Sequence, residues 1–207
     1  MFFDILFVFS LFFYSSKIIG IGTYMDNNNK NLETITLGSG CFWCTEAVFQ
    51  NLKGIISSVS GYSGGTMKNP TYEDVCSGTT NYAEVIQVTF NTDEISLVEI
   101  LEVFWKTHDP TTLNRQGNDI GTQYRSVIFY HNENQKRIAE ELKNKLEEAK
   151  IYSNPIVTEI TKFNNFYKAE NYHQNYYEKN KNKPYCSFVI TPKVEKFKQI
   201  FKDKLKK

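Results

Sequence analysis

Across residues 34–52 the hydrophobic pattern changes period within a few positions, and a chain that does this folds as a strand running directly into a helix. Thr34-Ile35-Thr36-Leu37 alternates polar and apolar with the period of two of a strand, whereas Ala47, Val48, Phe49 and Leu52 share one helical face. Between them runs Gly38-Ser39-Gly40-Cys41-Phe42-Trp43-Cys44-Thr45-Glu46, whose glycines end the strand and leave Cys41 where the helix begins. Unpaired N–H groups and the positive end of the peptide dipoles gather at such a point, so a thiol there is expected to ionise more readily than a free cysteine. A plainer reading of Cys41 is a small buried hydrophobe, the usual fate of cysteine. The glycine turn and the aromatic flank favour the reactive one.

The alternation of strand and helix continues along the chain, which reads as one α/β domain with no long low-complexity linker and no internal repeat. Its 207 residues suffice for one core and are short for two domains. Ser96-Leu97-Val98-Glu99 is a capping box, and Leu97, Ile100, Leu101, Phe104 and Trp105 follow at helical spacing, which predicts a helix over 96–107. Ser126-Val127-Ile128-Phe129-Tyr130 reads as a buried strand. Residues 134–150 predict a second helix with the stripe Ile138, Leu142, Leu146 and Ala149, its paired Glu and Lys forming a solvated face. A strand is expected over 157–160, a polar, mobile segment over 179–184, and a terminal helix over 194–205.

Net charge is +1, from 24 basic and 23 acidic residues, which argues against nucleic acid or any partner held by long-range attraction. Four cysteines in unlike contexts are too few for a disulfide scaffold and fit redox use better. Residues 5–14 form an apolar and aromatic run too short to span a bilayer. They fit the hydrophobic part of a secretory signal with Gly20-Ile21-Gly22 as cleavage site, although Asp4 stands where a positive charge is usual. Two alternatives remain open, a poor membrane anchor and translation starting at Met25. The chain thus divides into 1–24, a polar leader at 25–32, a catalytic domain at 33–192, and a helix or basic tail at 193–207.

Strand periodicity singles out one acid. In Glu84-Val85-Ile86-Gln87-Val88-Thr89-Phe90 a period of two puts Glu84 on the face that carries Ile86, Val88 and Phe90. A carboxyl held against apolar neighbours resists ionisation and can serve as a proton donor near neutral pH.

Gly-Cys-Phe-Trp-Cys-Thr-Glu-Ala-Val-Phe at 40–49 resembles the active-site motif of the A-type peptide methionine sulfoxide reductases, and further blocks match in order. These are Gly-Tyr-Ser-Gly-Gly at 61–65 leading into Pro70-Thr71-Tyr72-Glu73-Asp74-Val75-Cys76-Ser77-Gly78, then Ala83-Glu84-Val85. His108-Asp109-Pro110, Gly117-Asn118-Asp119-Ile120-Gly121-Thr122-Gln123-Tyr124-Arg125-Ser126 and Tyr172-His173-Gln174 complete the set, which covers roughly residues 33–192. The resemblance implies a two-layer α/β sandwich with a mixed, largely antiparallel sheet. It implies reduction of methionine S-sulfoxide, free or in proteins, by Cys41 as nucleophile, which is left as a sulfenic acid.

On the same resemblance Glu84 supplies the proton, the hydroxyls of Tyr62 and Tyr124 hold the sulfoxide oxygen, and Asp119 orients water or those hydroxyls. Phe42 and Trp43 wall the methyl pocket, and His173 supports. No metal, flavin or nucleotide is implied, and the reductant is a thioredoxin-type dithiol acting on a monomer. One departure is Asn81-Tyr82, where the family commonly has Gly-His. Two thiols compete to resolve the sulfenic acid. Cys44 stands at i+3, within the span a disulfide accepts, while Cys186 must arrive on the C-terminal segment and matches members that resolve from there; Cys76 is a bystander.

Other chemistries explain less. A thioredoxin-like oxidoreductase also opens a helix with Cys-x-x-Cys but leaves the glutamate, aspartate and tyrosine blocks without a role. A zinc module lacks a second ligand pair near Cys76 or Cys186. A cysteine hydrolase needs His108 or His173 beside Cys41.

Overall fold

The computed structural model describes residues 31–206. The expectations for residues 1–24 and for most of the polar leader lie outside them. In chain order the elements are β1 (Leu32–Ser39), α1 (Phe42–Phe49), β2 (Ile55–Ser63), α2 (Tyr72–Cys76), β3 (Ala83–Asn91), α3 (Leu97–Thr107), β4 (Arg115–Gln116) and β5 (Asp119–Ile120). There follow β6 (Ser126–Tyr130), α4 (Glu133–Glu148), β7 (Glu159–Lys162), β8 (Tyr167–Lys168), α5 (Tyr176–Lys179), a π-helical turn (Cys186–Ile190) and α6 (Thr191–Ile200).

Six strands make one sheet in the order β7-β6-β1-β3-β2-β8, every pair antiparallel except β6 with β7. β4 and β5 form a separate small hairpin. On one face Ile35, Leu37, Ile86, Val88, Phe90 and Ile128 meet Phe49 of α1, Ile100 and Phe104 of α3, and Leu142 and Leu146 of α4. The other face is thinner: Ala83, Val85, Val127 and Phe129 lie under Phe163 and Phe166 from the β7–β8 connection. This is the expected two-layer α/β architecture, and β3 is buried on both sides because it runs through its middle.

The local signals act where they were read. Ser96 Oγ accepts the Glu99 N–H (3.3 Å) while the Glu99 carboxylate accepts the Ser96 N–H (2.9 Å), closing the capping box of α3. Asn132 caps α4 through Gln135 N (2.9 Å). Ile138, Leu142 and Leu146 are buried as expected, but Ala149 falls beyond the last turn and is exposed, and Ala139 completes the stripe instead. The seventh strand begins two residues later than expected because the Val157 N–H is taken by Pro110 O (2.9 Å), outside the sheet.

Helix α1 stops at Phe49, so Leu52 is not on it. Leu52 instead pairs with Leu205, and the Lys53 and Lys206 N–H groups bond to Lys204 O (2.8 Å) and Asn51 O (2.9 Å). Val194, Phe197 and Phe201 are buried, so the helical end of the chain is packed against the body rather than trailing from it.

Candidate active site

Cys41 is the N-cap of α1, and its carbonyl accepts the Cys44 (3.1 Å) and Thr45 (3.3 Å) N–H groups. Gly40 before it has φ +92, and a Cβ there would lie 2.6 Å from the Gln116 side chain. The turn that aims Cys41 therefore requires glycine twice over, by conformation and by space.

Glu84, 2% exposed, sits on β3 opposite Tyr62 of β2, and its Oε2 accepts the Phe42 N–H at 3.0 Å. One helix-initiating N–H is thereby tied to the acid, and the acid is placed beside the thiol. Burial, then the neighbouring Cys41, push the Glu84 carboxyl well above the usual carboxylate range, against the single Phe42 N–H; Asp119 adds to the rise. The surroundings of Cys41 run against the expectation of an easily ionised thiol. Burial raises this thiol well above its ordinary value, the Cys44 thiol beside it adds to the rise, and the Tyr185 hydroxyl and Trp43 N–H only partly oppose it. A helix N-terminus lowers a pKa by less than full desolvation raises it.

Cys41, Phe42, Trp43, Tyr72, Glu84, Asp119, Tyr124 and Tyr185 line a cavity of about 210 Å³. Six of these are residues singled out from the sequence. Tyr62 is not among them: it is fully buried behind Phe42 (ring centroids 5.9 Å), and its hydroxyl donates to Glu170 Oε2 (2.8 Å). Glu170 Oε1 accepts the Tyr72 N–H (2.9 Å), which links the Tyr62 hydroxyl to the backbone of Tyr72. Tyr72 and Tyr185 were missed. The signal for Tyr72 was present in Thr71-x-x-Asp74, a capping box that makes Tyr72 the first residue of α2 and so fixes its direction.

A larger groove, about 450 Å³, lies between α3 and α6 and holds no thiol. His108, on its wall, has both ring nitrogens committed, Nδ1 to Phe104 O (2.7 Å) and Nε2 to Ser126 Oγ (2.7 Å), and burial pulls it down to about 4. His173 is no base for Cys41 either. Its Nδ1 accepts the Trp43 indole N–H (3.0 Å), which leaves the proton on Nε2 and the ring neutral.

Trp43 is held on three sides: Tyr176 stacks flat on it (centroids 3.7 Å, 6° between planes), Tyr185 meets it edge-on (5.8 Å), and His173 anchors its N–H. The Tyr185 hydroxyl donates to Asp119 Oδ2 (2.8 Å) in the cavity that Cys41 also lines.

Cys44 and Cys186 share one buried cluster with Cys41, Ala47, Ile190 and Val194, whereas Cys76 is exposed. Cys186 thus needs no long journey on a tail; the π-helical turn places it among the other two thiols, all three in the reduced form. The Cys44 thiol is lowered, chiefly by its hydrogen bond with Cys41, with Lys193 helping against burial.

The departure at Asn81-Tyr82 is absorbed locally. Asn81 adopts φ 59, a region asparagine tolerates best after glycine, and its carbonyl accepts Arg125 Nη2 (3.0 Å). The Tyr82 ring lies where a Gly65 Cβ would be, and its hydroxyl donates to Met67 O (2.6 Å).

A sequence profile described as peptide methionine sulfoxide reductase matches residues 33–205. The peptide methionine sulfoxide reductase MsrA of Saccharolobus solfataricus is 58% identical over 175 residues, 84% of this chain and 98% of the relative. Among solved structures, reduced Mxr1 from Saccharomyces cerevisiae superposes with a TM-score of 0.71 at 36% identity, over 82% of this chain and 96% of that one. Mxr1 in complex with Trx2 gives 0.51 at 31% identity, over 74% and 90%. With a cysteine at a helix start, a buried acid beside it and this similarity along nearly the whole described chain, the protein belongs to the peptide methionine sulfoxide reductase family.

Proposed function

We propose that this protein reduces methionine S-sulfoxide, free or in proteins, to methionine, and that residues 33–205 act as one catalytic domain. The observation that carries the reading is Glu84, a carboxyl kept protonated by burial and bonded to the N–H next to Cys41, in one cavity with the thiol. A sulfoxide oxygen is a poor leaving group until it is protonated, and Glu84 supplies that proton.

The Cys41 sulfur attacks the sulfoxide sulfur as Glu84 protonates the oxygen. The hydroxyl then passes to the Cys41 sulfur as the S–O bond and the newly formed S–S bond break, which releases methionine and leaves Cys41 as a sulfenic acid. The thiol's own proton restores Glu84, so the Cys41–Glu84 pair carries the same charge before and after the step. Tyr72 and Tyr124, whose hydroxyls burial keeps protonated, hold the oxygen, and Phe42 and Trp43 receive the methyl group. Asp119 orients Tyr185 beside the thiols, and Tyr62 steadies Tyr72 through Glu170.

A second thiol condenses with the sulfenic acid, releasing water. Cys44 is the first candidate, since it shares a helical turn and a buried cluster with Cys41, and Cys186 the second. Two further thiols from an external dithiol protein reopen the disulfide; likeness to an Mxr1 crystallised with Trx2 supports a thioredoxin as that donor.

The test is incubation of a peptide carrying racemic methionine sulfoxide with dithiothreitol. Methionine should form until about half the sulfoxide is consumed, the remainder being the R epimer, in line with the stereospecificity of covalent attack at a chiral sulfur. Unchanged sulfoxide, or an acyl product formed without reductant, rejects the reading.

A further inference from the structure

Glu46 lies on α1 one turn beyond Trp43, does not line the Cys41 cavity, and is 2% exposed. Its carboxylate leaves its own helix and meets the start of α5, accepting the Asn175 N–H at Oε2 (2.8 Å). α5 has four residues, begins from Asn175 in the left-handed region (φ 53, ψ 38), and has no cap from its own side chains. So short a helix does not hold itself together in water. Glu46 supplies the missing cap from across the interface, where its charge also suits the positive end of the α5 dipoles.

The next residue turns this cap toward substrate. Tyr176, which directly follows the bonded Asn175, is the ring stacked flat on Trp43 (3.7 Å), and Trp43 lines the cavity with its N–H fixed on His173. Burying a carboxylate is costly unless it is hydrogen-bonded. Here burial lifts Glu46 to about 7, and the Asn175 and Tyr176 N–H groups oppose that rise together with the nearby Lys179.

We infer that Glu46 is a positioning residue, which by capping α5 holds Tyr176 against Trp43 and so sets the wall that receives the substrate's methyl group. The inference deepens the reductase reading and rests on it only for the substrate. A wall that contacts substrate and transition state alike changes KM more than kcat.

The protein has two tryptophans, Trp43 and Trp105, so its indole N–H resonances report the wall and the distant core separately. Glu46→Ala should shift the Trp43 resonance, leave that of Trp105, and raise KM for a methionine sulfoxide peptide about tenfold with kcat within about threefold, a loss of about 1.4 kcal/mol in binding. Glu46→Gln keeps an acceptor oxygen and should hold KM within about threefold of wild type. Tyr176→Leu, which leaves Glu46 buried and bonded, should reproduce the KM rise, and the double variant should add nothing further. A wild-type Trp43 resonance and KM in Glu46→Ala, or additive effects in the double variant, overturns the inference. Should Glu46→Ala not fold, a wild-type KM in Tyr176→Leu overturns it. Should the wild type reduce no sulfoxide, the reductase reading falls, and the Trp43 resonance still decides the role of Glu46.

Discussion

Glu84 is placed where a carboxylate anion is least welcome, and that placement ties its chemistry to a cost in stability. With its pKa raised in the folded protein, the native state binds more protons than the unfolded chain at every pH between the ordinary value of 4.5 and the folded one. Stability therefore falls as pH rises through that window. Glu84→Gln keeps the acceptor for the Phe42 N–H and removes the ionisation, so it should melt higher than wild type by a margin that grows from pH 5 to pH 8, each kcal/mol being worth about 2–4 °C in a chain of this size. The same substitution should lower kcat on the order of 10²-fold, and wild-type kcat should decline at alkaline pH as Glu84 loses its proton. Thermal melts and initial rates of the two proteins check this; a loss under about threefold makes Glu84 structural.

At the scale of elements, α1 and the π-helical turn bring three thiols into one apolar cluster, which makes the resolving step a competition among neighbours. Cys44 has the advantage of a shared turn with Cys41, whose carbonyl accepts the Cys44 N–H, whereas burial raises Cys186. Peptide mapping after one turnover without reductant should give a Cys41–Cys44 disulfide. Cys44→Ser should release methionine once and then stall under thioredoxin. A Cys41–Cys186 linkage with normal thioredoxin cycling in Cys44→Ser reverses the order of the two.

At the scale of the whole molecule, the C-terminal segment closes the structure over the helix that carries the nucleophile. Phe201 is buried against Phe197 (centroids 5.5 Å) and under Lys106 (5.3 Å), and beyond it Leu205 pairs with Leu52, just past the end of α1. Phe201→Ala should cost about 3–5 kcal/mol, the usual penalty for emptying a buried aromatic site. Its measure is the urea midpoint at unchanged m value. A midpoint within error of wild type would mean that the segment is an appendage after all.

What the sequence by itself determined are the features that local physics decides. The strand-to-helix switch around Gly40, the two capping signals at Ser96 and Thr71, the buried parity of Glu84 and the strand at 126–130 all depend on residues a few positions apart. Only the tertiary structure decided which of thirteen tyrosines face the nucleophile, since Tyr62 and Tyr72 are separated by a turn whose course is set by the distant Glu170. It also decided the ionisation of Cys41, because the dipole at a helix start is local while desolvation is the sum of everything packed around it. The same holds for Cys186 and Glu46, each placed by a contact between segments far apart in the chain, and loop closure over such distances leaves no periodic trace in the residues it joins.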